Sequence, residues 1–208
     1  MRLSGLRCFG SRWTPVVARR CALLLSAALC GPLHAAQDDA AGPSSIRINE
    51  RVTHYAIAAG SIEDLREQLR HGVPSPGDHG HTSSDVGIRY ELDMSAAGCR
   101  LRNLEVRLDI VVTLPEWRPR RQVSAAEWRR WERALAALED HEATHRANAR
   151  AAAEEARVRI QAIGPRPDCR SVRNTASRLL RRTMLKYEFR DRRYDARTRN
   201  GAEEGALL

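Results

Sequence analysis

Beyond its first 35 residues the 208-residue chain has no run of eighteen consecutive apolar residues, so the sequence carries no membrane-spanning helix there. It is poor in aromatics, at 5%. That scarcity, and the absence of any recognised nucleic-acid motif beside its arginines, argue against a nucleic-acid partner. Only Cys99 and Cys169 remain outside the N-terminal region that holds Cys8, Cys21 and Cys30. Neither has a second cysteine at ligand spacing, which argues against a thiolate metal site. No histidine follows His145, so any site that needs a later imidazole is excluded.

What is present begins with a leader. Residues 1–35 carry five arginines and no acid, then the apolar run Cys21 to Cys30, then Leu33-His34-Ala35. This reads as a signal peptide cleaved near Ala35, and it places the mature chain in the periplasm or outside the cell. Loss of the leader leaves 30 basic against 26 acidic residues, a formal charge of +4 in place of +9. In an oxidising compartment Cys99 and Cys169, an even pair, are expected to form one disulfide. Residues 36–45 read as a disordered linker and residues 46–208 as a single domain.

Periodicity divides that domain. Ile46 to Ile57 alternates imperfectly and predicts one or two short strands; Ser61 begins a short helix with Ile62, Leu65 and Leu69 on its apolar face. Val86, Ile88, Tyr90 and Leu92, then Leu104, Val106, Leu108, Ile110 and Val112, mark two strands of an antiparallel hairpin, with Pro115 to Pro119 ending the sheet. Ser124 and Glu127 make an S-x-x-E capping box at the start of a long helix that stops at Gly164-Pro165. A second helix is predicted from Ser171 to Arg190, its basic residues forming a solvated face. The expected fold is α+β, zincin-like: a small antiparallel sheet packed against the long helix and a second C-terminal helix.

The long helix carries the chemistry. His141-Glu142-Ala143-Thr144-His145 puts two imidazoles at i and i+4 on one face, close enough to share one Zn²⁺ ion, with Glu142 placed as general base for a zinc-activated water. Both histidines fall on or beside the core-facing stripe, where a hydrogen-bonded pair of core histidines would give the same pattern.

The order of landmarks resembles a bacterial family of predicted secreted zinc-dependent proteases, known as domain of unknown function 922. Those landmarks are Tyr55, Gly60-Ser61, Cys99, Leu114-Pro115-Glu116-Trp117, the histidine helix, Cys169 and the closing Tyr194-Asp195-x-x-Thr198-x-x-Gly201. The resemblance implies a periplasmic or secreted zinc peptidase acting on a peptide or protein. Related sequences often carry His-Gly where this chain has Asn200-Gly201, so the third zinc ligand must come from elsewhere. The candidates are Asp191, Asp195, Glu203, Glu204, Asn200, His54, His79 and His81. Asp195 is the favoured one, since a carboxylate completes many catalytic zinc sites and it lies in the closing motif. Tyr194 is the candidate stabiliser of the oxyanion. The alternative function is a catalytically degenerate envelope binding or scaffolding protein of the same fold.

Overall fold

The structure, a computed structural model, describes residues 43–71 and 79–208. The leader and residues 36–42 of the expected linker lie outside this range. β1 (Ser44–Ile57), α1 (Ile62–His71), β2 (His81–Ser95), β3 (Gly98–Trp117), α2 (Ala125–Gln161) and α3 (Cys169–Thr198) follow in order, with a 3-10 turn at Ala202–Glu204. β1 therefore takes up Ser44 and Ser45 from the stretch read as linker. Among the described residues no helix is long and apolar enough to cross a membrane.

The α+β class holds, but the expected antiparallel sheet is mixed. Its order is β1-β3-β2. β2 and β3 form the antiparallel hairpin, while β1 pairs in parallel with β3 from Ser44↔Leu104 to Ile57↔Trp117. The reason is positional. β3 carries the longest buried row (Leu104, Val106, Leu108, Ile110, Val112, Leu114) and takes the centre, where both of its edges are bonded. The chain leaving β1 passes through α1 and returns along β2, so β3 runs in the direction of β1. Parallel pairing needs such a crossover and cannot be made by a hairpin. The same pairing holds β1 as one 14-residue strand although most of its residues are exposed. It also carries β3 past Pro115 to Trp117, where the sheet was expected to end.

A bulge keeps β3's apolar row on one face. Asn103 adopts a left-handed φ of 50° in the register shift opposite Arg89 to Glu91, and its amide bonds Glu91 at 2.7 Å. The extra residue lets Leu101 and Leu104, three apart, both point inward. Against that face pack Leu138, Ala149, Ala153, Ala156 and Ile160 of α2 with Val172 and Ala176 of α3. The alanines allow close approach of the helices. A second cluster unites Ile62, Leu65 and Leu69 of α1 with Trp117, Trp131 and Ala134. Each fully buried Leu or Ile side chain contributes about 1.5–3 kcal/mol.

Both predicted covalent and capping features are present. Ser124 and Glu127 close the capping box, and Glu127 also accepts from the Ile62 backbone N–H, joining the starts of α1 and α2. Cys99 and Cys169 are disulfide-bonded, tying the first turn of α3 to the start of β3. Beside the bridge, Cys99 and Arg166 exchange two backbone hydrogen bonds of 2.8 and 2.9 Å. Gly98 is required here: its φ is +105°, and a Cβ would stand 2.4 Å from the Arg166 carbonyl oxygen.

α3 is longer than its periodicity implied, running to Thr198 rather than Arg190. No Gly or Pro interrupts residues 191–198, so the helix continues until Arg199, Asn200 and Gly201 turn left-handed. Asp191, Tyr194 and Asp195, expected beyond the helix, are thus helical.

Candidate metal centre

α2 carries His141 and Glu142 between Leu138 and Ala149 of the main core, and both are 3% exposed. α3 runs back beside this turn and supplies Asp191, Tyr194 and Asp195. The tight turn after α3 then brings Glu204 behind His141. Gly201 makes that turn feasible: at φ +82° it lies so close to His141 that a Cβ would be 3.3 Å from the ring's Cγ.

Each imidazole is held by a carboxylate on its Nδ1. Glu204 Oε2 lies 2.8 Å from His141 Nδ1, and Asp191 Oδ1 lies 3.2 Å from His145 Nδ1. These carboxylates are themselves held. Tyr194 donates its hydroxyl to both oxygens of Glu204 at 2.9 and 3.0 Å, and Asn148 donates its amide to Asp191. With Nδ1 of each ring donating to a carboxylate, each Nε2 presents a lone pair.

Those two lone pairs meet a third. His141 Nε2 and His145 Nε2 are 3.3 Å apart, and Asp195 Oδ1 is 3.4 Å from the first and 2.9 Å from the second. Asp195 Oδ1 is buried and receives no hydrogen bond. With both rings neutral, three acceptors face one another and repel, and either a proton on His145 Nε2 or a cation between them removes that cost. Tetrahedral ligands about 2.0–2.1 Å from zinc stand roughly 3.3 Å apart, which two of the three distances match while the 2.9 Å separation is shorter. The donor set of two imidazoles and one carboxylate suits zinc.

The surroundings favour positive charge at this point, whether carried by a proton or by a metal ion. Burial works against the charged form of His145, but the bond to Asp191 and the nearby charges of Asp195 and Glu142 outweigh it and hold the pKa above the ordinary 6.5. For Glu204 burial pushes upward, yet hydrogen bonds from His141 and Tyr194 prevail and keep the carboxyl below its usual range.

Glu142 adjoins the cluster. Its Oε2 accepts from Thr82 Oγ1 at 2.6 Å, and its Oε1 faces Gly80, where a Cβ would come within 2.9 Å. A cleft of about 240 Å³ opens here, lined by Gly80, His81 and Thr82 from the start of β2, by the α2 triad and by α3.

The structure therefore brings together His141, Glu142, His145 and Asp195. Of the other candidate ligands, Asp191 and Glu204 stand behind the imidazoles, and His81 and Asn200 line the cleft. His54 is exposed on β1, and Glu203 pairs with Arg199. His79 is buried with its carbonyl accepting from Tyr55. Tyr194, expected at an oxyanion, stacks its ring on His141 at 4.8 Å, and its hydroxyl is taken by Glu204. Thr82 and Asn148 escaped the sequence reading. Both act across chain separations that no local pattern records.

Residues 52–202 match the model of a family described as bacterial protein of unknown function, DUF922. The chain belongs to this family. Comparison with curated proteins and with solved structures returns no match. The DUF922 match runs from within β1 to the turn after α3, so it takes in the whole α2–α3 pair and every residue of the cluster except Glu204.

Proposed function

We propose that this DUF922 protein is a zinc-dependent peptidase of the cell envelope or exterior, zincin-like in placing its ligand helix under the edge of a sheet. The observation that carries the reading is the close triangle of His141 Nε2, His145 Nε2 and Asp195 Oδ1, with a carboxylate behind each imidazole. Structural histidine pairs need no such arrangement, whereas metal ligands characteristically have it. A bound zinc would supply Lewis acidity and lower the pKa of water in the cleft.

The chain's own residues divide the remaining work. Glu142 is the general base: Thr82 fixes one of its oxygens, and the other is left to take the proton of the attacking water. Glu204 and Asp191 fix the rings and raise their basicity as ligands. Tyr194 is a positioning residue that acts on His141 through Glu204. Asn200 is the neutral side-chain amide lining the cleft. β2 is an edge strand that starts at the cleft wall, and such an edge offers backbone groups to an extended peptide. The leader-like N-terminus and the disulfide support a site of action outside the cytoplasm.

The degenerate binding or scaffolding alternative draws on Asn200 standing in place of a histidine. Asp195 answers it, because a carboxylate already occupies the third position. Hydrolysis of a mixed peptide library by zinc-loaded protein, compared with Glu142→Gln, tests the proposal. Cleavage should fall by about 10²–10⁴ in the variant while one zinc per chain is retained. Equal cleavage by both proteins, or none by the wild type, would sink the peptidase reading.

A further inference from the structure

α3 carries a second chemical face. Arg190, Arg193 and Arg197 recur at i, i+3 and i+7 and line a cavity of about 730 Å³ together with Thr144, Asn148, Phe189, Tyr194 and Glu204. Among the described residues none of the three arginines forms a salt bridge. Instead each guanidinium lies over an aromatic ring: Arg190 at 5.9 Å from Tyr187, Arg193 at 5.9 Å from Phe189 and Arg197 at 5.4 Å from Tyr194. Stacking on a ring restrains a guanidinium while leaving its N–H groups free to donate. The exposed arginines elsewhere are often paired, as Arg192 is with Glu188 and Arg199 with Glu203. The one carboxylate in the cavity, Glu204, has both oxygens engaged by Tyr194 and one also by His141, and the charge of Arg197 acts on it without a direct ion pair. A hydroxyl, Thr144, adds a neutral group to the wall.

We propose that this cavity is a binding site for a phosphate group. The chemistry that fits is a compact oxyanion taking bidentate hydrogen bonds from planar guanidinium forks. The volume falls in the range of small-molecule sites. Phe189, 56% exposed at the cavity, and Leu185, 55% exposed one turn earlier, supply apolar surface beside the charge. A phospholipid headgroup and a free phosphate share the required chemistry. The site does not depend on the metal. It lies against Tyr194 and Glu204, on the other side of them from the His141 ring.

The test titrates the full-length protein, freed of any leader by its own processing, with inorganic phosphate, and separately with vesicles of anionic phospholipid and of neutral phospholipid alone. The double variant Arg193→Ala/Arg197→Ala should lose at least about tenfold in affinity. Arg178→Ala/Arg181→Ala, on the same helix outside this cavity, should keep it. Loss confined to the first variant with free phosphate assigns a soluble anion, and the same loss with anionic vesicles assigns a headgroup; either supports the site. Equal loss in both variants would reveal general charge attraction and overturn the site. Phosphate binding unaffected by Arg193 and Arg197, as at a metal ion, or no binding to any probe, would overturn it.

Discussion

The two flanks of α3 differ in charge but share one spacing. Glu188, Asp191 and Asp195 recur at i, i+3 and i+7 and line the cleft with His141, Glu142 and His145, whereas Arg190, Arg193 and Arg197 repeat the same intervals two residues later and line the cavity behind Tyr194. Two residues turn an α-helix through about 200°, so the sets fall on opposite sides. One side presents lone pairs toward a pair of histidines, and the other presents donors stacked on rings. Side-chain identity alone would call both simply charged. The difference comes from their partners: Asp191 and Asp195 face imidazoles on α2 while Glu188 pairs with Arg192, and the arginines face aromatic rings of their own helix.

The disulfide is the largest lever on this comparison, since it anchors α3 at Cys169 and both flanks depend on the helix being held. A bridge across 70 residues contributes roughly 4 kcal/mol by loop entropy. Reduction should lower unfolding stability by about that much, read by urea denaturation with and without reductant. A change below about 1 kcal/mol would show that packing alone positions α3.

A smaller effect separates the acid flank from the other. Asp191→Asn keeps the shape but withdraws the charge behind His145, and zinc affinity should fall about 10–100-fold. The same variant has a signature without metal. Because the folded pKa of His145 is raised, its contribution to stability is fully present below the ordinary 6.5 and is lost as pH climbs through the raised folded value. In metal-free wild type, stability should therefore decline over that window, and in Asp191→Asn the decline should shrink. Identical pH profiles would mean that Asp191 does not govern the ring.

Much of the frame could be read from residues in order. The capping box at Ser124, the β2–β3 hairpin, the Cys99–Cys169 bridge and the side-by-side placement of His141 and His145 all follow from local spacing or simple counting. The parallel pairing of β1 could not, because β1's mostly exposed residues carry a weak alternation and its partner lies across α1 and β2. The end of α3 could not either, because the apolar stripe fades after Met184 while nothing in 191–198 breaks the helix that carries the closing motif. Asp195 stands out among the candidate donors only through the preference of catalytic zinc sites for a carboxylate and its place in the closing motif. The functions of Asp191 and Glu204 behind the rings required the helices to be packed. The arginine flank is exposed, as a solvated basic face should be; the rings beside its guanidinium groups are what the sequence pattern does not record.

The central claim is that Asp195 completes a zinc site with His141 and His145. Its most direct measurement is the zinc content and competition-derived affinity of the purified protein beside His141→Ala and Asp195→Ala. The account predicts one zinc per chain in the wild type and a large loss of affinity in both variants. A wild type that binds no zinc, or an Asp195→Ala protein with wild-type affinity, would contradict it.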